Sequence, residues 1–150
     1  MKVLVFNKQK DLKVLKQPIK ALARAVVSLE KKLYDEVSIH FVDNATMCKL
    51  HKEYFNDPTP TDCISFPIDN EEDGYKLMGD VVVCPLVAKT YARTKKLDVG
   101  EELSLYIVHG LLHLIGYDDI DSRDRKVMRS AERRHLKNLR AKKLCLKVFG

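Results

Sequence analysis

The stretch HGLLHLIGYDDID, from His109 to Asp121, brings two imidazoles and three carboxylates together around a glycine. His109 and His113 are four residues apart, so on a helix both side chains leave the same face. Gly116 falls where such a helix stops, because glycine tolerates the left-handed turn that ends one. The chain can then double back and present Asp118 or Asp119 to the two rings. Two nitrogen donors and one carboxylate oxygen, with a fourth position open to water, make a catalytic zinc arrangement. The spacing is His-x3-His-x5-Asp, counted to Asp119. Core histidines usually just hydrogen-bond, but two unpaired imidazoles in an apolar helix would be costly, which favours a ligand role. Zinc is the first choice from these donor types. The oxygen in third place keeps manganese or nickel open.

The same spacing fits the zinc-peptidase pattern H-E-x-x-H-x-x-G-x-x-H with two substitutions. Gly110 stands where the glutamate would be, and Asp119 where the last histidine would be. In a peptidase that glutamate takes a proton from water and returns it to the leaving amine. Amines are poor leaving groups and need the proton. The sugar oxygen released from a phosphodiester needs less help, because a metal stabilises its developing charge directly. Gly110 therefore weakens a peptidase reading and leaves phosphodiester hydrolysis open.

The elements that must position these residues follow from hydrophobic periodicity. KVLVF near the start reads as a short strand. QPIKALARAVVSLEKKL reads as a helix with Pro18 in its first turn and Ile19, Leu22, Val26, Leu29 and Leu33 along one face. EVSIHFVD alternates as a strand, and Asp43 or Asn44 can cap the helix ATMCKLHKEYF. DCISFPI and GDVVVC read as two strands on a short connection, which favours antiparallel pairing. Pro85 opens another helix. GEELSLYIVHGLLHLIG is apolar almost all round and reads as the central buried helix that carries the two histidines. A long basic helix from about Ser122 closes the chain. The fold class expected is α+β, in one domain over residues 1–150.

Of the 150 residues, 45% are apolar and 32% charged, the balance of an ordinary globular chain. No apolar run reaches membrane-spanning length, and MKVLVFNKQKDLKVL carries too much charge for a signal peptide. Cys48, Cys63, Cys84 and Cys145 form no CxxC pair, which suits a reducing cytoplasm, and none reads as a ligand. The net charge is +6, and it belongs to the end of the chain, where eleven Lys/Arg face three Asp/Glu from Asp121 onward. A one-sign excess of that size points to a polyanion, nucleic acid being the commonest. The acidic stretch from Asp69 to Asp80 has calcium-loop donor spacing, but Glu71 and Asp80 are the wrong types for their places and strands flank it. An acidic hairpin loop is the better reading. His40, His51 and His135 have no partner spacing and read as ordinary surface or strand residues.

HGLLHLIGYDD resembles the H-G-x-L-H-L-x-G-Y-D-H signature of the YbeY family of bacterial rRNA-maturation endoribonucleases. PTDCISFP, from Pro60 to Pro67, is similar to that family's P-T-D-V-L-S-F-P, and MGDVVVC to its L-G-D-I-x-I-C. The resemblance spans nearly the whole chain. It implies a small mixed sheet with helices, related to metalloproteases, and metal-dependent cleavage of single-stranded RNA in 16S rRNA end maturation and ribosome quality control. It also implies rRNA and ribosomal particles as partners, ribosome-assembly proteins alongside them, and no membrane.

Carried over residue by residue, the resemblance makes His109, His113 and Asp119 the metal ligands. Asp119 departs from the family, which usually has histidine there; its charge makes water at the site less acidic than in a three-histidine site. Asp118 matches the family's own aspartate and is the reserve ligand, or a carboxylate that holds an imidazole N–H. A second departure is Phe55, which stands where the family typically carries a phosphate-gripping arginine. Lys52, one turn earlier, is the candidate replacement for contact with RNA. Tyr54 and Phe55 suit stacking on bases, although aromatics at the end of an amphipathic helix more often join the core. The strand CISFP is expected to line a groove beside the metal, with backbone groups free for an extended substrate. Two rivals stand against a nuclease: an atypical zinc metallopeptidase, and a non-enzymatic RNA- or ribosome-binding factor whose metal is structural. The sequence assigns no protein general base; Glu102 or Asp118 would be guesses.

Overall fold

The computed structural model describes residues 1–57, 59, 61–68, 71, 72 and 74–148. The chain runs β1 (Lys2–Lys8), α1 (Lys16–Leu29), β2 (Glu36–Val42), α2 (Asn44–Phe55), β3 (Cys63–Pro67), β4 (Glu71–Glu72), β5 (Tyr75–Val83), α3 (Pro85–Lys95), α4 (Val99–Ile115) and α5 (Ser122–Ala141). The sheet order is β1-β2-β5-β3. β2 pairs parallel with both β1 and β5, whereas β3 runs antiparallel to β5 and forms one edge. This is the mixed α+β architecture expected from the sequence, including the antiparallel pairing of CISFP with the strand that ends at Val83.

The short β4 pairs with the start of β5, Glu71 opposite Lys76 and Glu72 opposite Tyr75, around Gly74 at φ +76°. The acidic stretch is thus a hairpin, as expected; Asp69 and Asp73 of the calcium-type spacing lie outside the described residues.

Period-two alternation gives the sheet two faces. Val37, Ile39 and Phe41 of β2, with Val81 and Val83 of β5, enter the main core against α1 and α4. Val42, Ile64 and Val82 enter a smaller cluster with Met47 of α2. Asp43 caps α2 by accepting the Thr46 N–H at 2.8 Å. Pro85 occupies the first turn of α3.

On α1, Ile19, Leu22 and Val26 are fully buried, but Leu33 is 86% exposed. The expected stripe stops short because the helix ends at Leu29 and Lys31 takes a left-handed φ of 56°. Nothing in LEKKL announces that stop, since the residue bearing the positive φ is lysine and not glycine. Of the four cysteines, all free, Cys84 alone is fully buried.

α4 is the buried spine. Leu103, Ile107, Leu111 and Leu112 have no exposed surface, and burying each leucine or isoleucine is worth roughly 1.5–3 kcal/mol. Asp98 caps its start by accepting the Glu101 N–H at 2.9 Å, and Gly116, at φ +122°, ends it. Two-thirds of the way along, the packing at Gly110 answers why no glutamate stands there. A Cβ on Gly110 would sit 2.5 Å from Val81 Cγ1 and 2.7 Å from Cys63 Sγ, and Ser65 Oγ donates to the Gly110 carbonyl at 2.8 Å. The helix rests on β3 and β5 through a bare backbone, so no side chain fits at this position. Among the described residues, no helix is long and apolar enough to cross a membrane.

Candidate metal centre

Both histidines sit on the last two turns of α4, and the turn at Gly116 brings Asp119 back over them. His109 Nε2 and His113 Nε2 are 3.1 Å apart, and Asp119 Oδ2 lies 3.5 Å from each. A tetrahedral ion with bonds near 2.05 Å would space its ligand atoms roughly 3.3 Å apart. One ligand atom from each of the three residues falls within 4.8 Å of the others, so the group could hold a metal ion.

The hydrogen bonds behind the rings decide what the convergent atoms are. His113 Nδ1 faces the Tyr117 carbonyl oxygen at 3.0 Å, and a carbonyl only accepts, so the proton resides on Nδ1. His109 Nδ1 faces Glu132 Oε1 at 3.1 Å. Arg129 donates to both oxygens of Glu132, at 2.7 and 3.0 Å, so the carboxylate faces the ring as an acceptor. Both Nε2 atoms therefore turn lone pairs toward each other and toward a carboxylate oxygen. With both rings neutral, three acceptors converge without a donor among them, and a cation is what satisfies such a set. Burial alone would depress the His109 pKa, but the hydrogen bond and charge of Glu132, with Asp62 and Asp119 behind it, hold it above the usual imidazole value.

Asp118 is elsewhere. Its Oδ1 accepts the backbone N–H of Asp119 at 2.8 Å in an exposed turn, and the imidazole N–H groups are taken by Glu132 and Tyr117 instead. The first turn of α5 also ties this segment down, through Arg125 Nη1 to the Ile120 carbonyl at 2.7 Å. Tyr117 Oη donates to Glu30 at 2.7 Å, and Arg134 and His135 of α5 hold the same carboxylate at 3.1 and 2.6 Å. His135, read from sequence as a surface or strand residue, is fully buried in this network. Its place on the stripe Met128, Ala131, His135, Leu139 was the available signal, and the same stripe buries Glu132.

All three ligand residues line one groove, and His109 and Asp119 also line a second. The first, of about 430 Å³, is walled by the edge strand β3 through Cys63, Ile64 and Ser65 and by His51 and Phe55 of α2. The expectation that CISFP lines a groove beside the histidines is met. On α2 the groove-facing residues are His51 and Phe55; Lys52 is exposed but is not part of the wall. Helical spacing explains the shift, since 51 and 55 share a face and 52 lies 100° around. Tyr54 and Phe55, at 62% and 57% exposed, are not core residues. The second groove, of about 760 Å³, runs between α3, α4 and α5.

The model of the family Endoribonuclease YbeY matches residues 4–140. This chain belongs to the YbeY family. It is 50% identical over 142 residues to Endoribonuclease YbeY of Protochlamydia amoebophila, covering 94% of this chain and 95% of the relative. It is 37% identical over 147 residues to Endoribonuclease YbeY of Chlamydia felis, covering 95% and 93% respectively. The solution structure of TM1509 from Thermotoga maritima shares the fold, with a TM-score of 0.65 at 22% identity over 93% of this chain and 90% of that one.

Proposed function

We propose that this chain is a metal-dependent endoribonuclease that cuts single-stranded RNA, acting in 16S rRNA end maturation and ribosome quality control. The observation that carries the reading is the convergence of His109, His113 and Asp119 in an open groove that shares His109 and Asp119 with a second, in a chain of the YbeY family. Zinc is the proposed ion, with manganese and nickel as the alternatives for this donor set. Bound there, a divalent ion supplies Lewis-acid stabilisation of a phosphoryl oxygen and a lowered pKa for water.

The chain's own residues do the rest. Glu132 and the Tyr117 carbonyl fix the tautomers and aim of the two rings. The grooves on either side keep an extended strand in reach of the centre, with the edge of β3 along one. Phe55 offers an exposed face for stacking a base. Lys52 adds exposed positive charge on the same helix, and α5 adds more. The bare backbone at Gly110 puts no carboxylate where a zinc peptidase carries its general base, which weighs against a peptidase. The proposed setting is the cytoplasm, with ribosomal particles and ribosome-assembly proteins as partners and residues 1–150 acting as one catalytic domain.

Elemental analysis of the purified protein, paired with a single-stranded RNA cleavage assay, tests this on wild type and on His113→Ala. One equivalent of metal and cleavage in the wild type, both lost in a folded variant, is the expected result. A wild type that carries metal but leaves RNA intact would overturn the enzyme reading.

A further inference from the structure

The second groove contains a side chain that the proposed chemistry leaves unused. Glu102 lines it from α4, is 8% exposed, and its carboxylate has no hydrogen bond or ion pair among the described residues. Its oxygens still reach the groove's solvent, so water or a ligand there supplies their donors, at a cost in hydration relative to an open surface. Its surroundings add to the cost: burial first, then the charges of Asp62 and Glu132, push its pKa up. The groove around it has aromatic walls, Tyr106 nearly buried and Tyr91 at 46% exposure. Arg133 stands at its rim, exposed and without an ion pair among the described residues. His109 and Asp119 close its inner end.

We propose that this groove is a nucleobase pocket selective for guanine, in which Glu102 accepts hydrogen bonds from the base edge, Tyr91 stacks on its face, and Arg133 pairs with the attached phosphate. The choice of base follows from donor pattern. A carboxylate presents two acceptor oxygens side by side, and guanine presents two donors side by side, N1–H and the N2 amine. Adenine, cytosine and uracil each set an acceptor next to every donor, so a carboxylate facing them meets a repulsive lone pair. Bases splayed from a single strand are read in this way, by stacking and by their Watson–Crick edges. Opening beside the metal centre, the pocket would fix which nucleotide precedes or follows the cut. It rests on the endoribonuclease reading for its substrate class but not for its test.

Nucleoside 5′-monophosphates have no phosphodiester to cleave, so their binding to the full-length, metal-loaded chain can be read by calorimetry whether or not the chain is a nuclease. GMP is expected to bind roughly tenfold more tightly than AMP, CMP or UMP, with IMP, which lacks the N2 amine, in between. Glu102→Gln should remove the guanine preference, whereas Arg133→Ala should weaken all four by a similar factor. Should the isosteric change at Glu102 unfold the chain, Tyr91→Ala on the exposed side of α3 serves instead, with a loss of roughly fivefold or more for every base. Equal affinity for the four nucleotides overturns the pocket, as does a preference that survives in Glu102→Gln or binding unmoved by Tyr91→Ala. A second equivalent of Mn²⁺ bound per chain and lost in Glu102→Gln would assign the carboxylate to a cation and overturn it too. RNA cleavage, followed on the same samples, separates the two readings. Cleavage without guanine preference removes the pocket alone, and guanine preference without cleavage removes the nuclease alone.

Discussion

Glu132 Oε1 lies 3.1 Å from His109 Nδ1 although the two belong to different helices. The bond sets the ring's tautomer and aim, and Arg129 holds the carboxylate in turn. Support of this kind is worth about 10–100-fold in metal affinity at sites where it has been removed. Glu132→Gln keeps the shape but substitutes an amide that can present its own N–H to the ring. Zinc affinity, measured by competition with a chromophoric chelator, is expected to fall by about that factor while the far-UV spectrum is unchanged. An affinity within about twofold of wild type would remove Glu132 from the site.

Gly110 makes the opposite kind of prediction, one about packing. In an ordinary helix interior, glycine to alanine stabilises by up to about 1 kcal/mol. Here the added Cβ meets Val81 Cγ1 at 2.5 Å and Cys63 Sγ at 2.7 Å. Overpacking a well-filled core costs about 1–3 kcal/mol, and the strain outweighs the propensity gain. Gly110→Ala should therefore lower the denaturation midpoint in urea with an unchanged slope, and Gly110→Glu should fail to accumulate as folded protein. A stabilised Gly110→Ala would mean that α4 can lift from the sheet without loss.

How far the sequence carries depends on whether a contact is local. His109, His113 and Asp119 lie within one helix turn sequence and its stop, so their convergence follows from a period of 3.6 and a glycine. The strands came from alternation for the same reason. Glu132 could not be paired with His109 that way, because the pairing depends on how α5 lies against α4. The stripe Met128, Ala131, His135, Leu139 was legible as a buried face. It would have flagged both Glu132 and His135 as buried polar groups in need of partners. Lys52 was chosen for its charge, whereas the groove selects by helix face, which favours His51 and Phe55.

His135 gives the fold a dependence on pH. Its Nε2 lies 2.6 Å from Glu30 Oε2, and its buried Nδ1 has no hydrogen-bond partner among the described residues. Charging the ring would bury an unpaired N–H, and burial accordingly holds the His135 pKa below the usual value despite Glu30. The unfolded chain protonates near pH 6.5, so below that it binds more protons than the folded chain at this residue. Its contribution is complete above about pH 6.5 and is lost as the pH falls toward the depressed folded value. His109 has the opposite sign in chelated protein, since its raised pKa favours folding in acid. Comparison with His135→Gln isolates the first term. Urea denaturation of chelated protein at pH 7.5 and 5.5 should show a smaller acid loss in His135→Gln than in wild type. Equal losses would mean that folding leaves the His135 pKa where the unfolded chain has it.

The basic end of the chain offers fewer cations to RNA than its composition suggests. Arg125, Arg129, Arg134 and Arg140 are engaged by Ile120, Glu132, Glu30 and Glu101 within the protein. Lys126, Arg133 and Lys137 are exposed, and their i, i+7, i+11 spacing puts the two lysines on the helix face of Arg133, which borders the groove. Each phosphate contact to a single strand contributes about 0.7 to the slope of log affinity against log salt. The double variant Lys126→Ala/Lys137→Ala should therefore lower that slope by up to about 1.4 with metal content unchanged. Lys13→Ala/Lys32→Ala removes the same charge from exposed positions outside this stripe, so it controls for net charge. A stripe that guides RNA to the centre requires the first pair to matter more than the second; equal salt slopes would reduce α5 to a source of diffuse attraction.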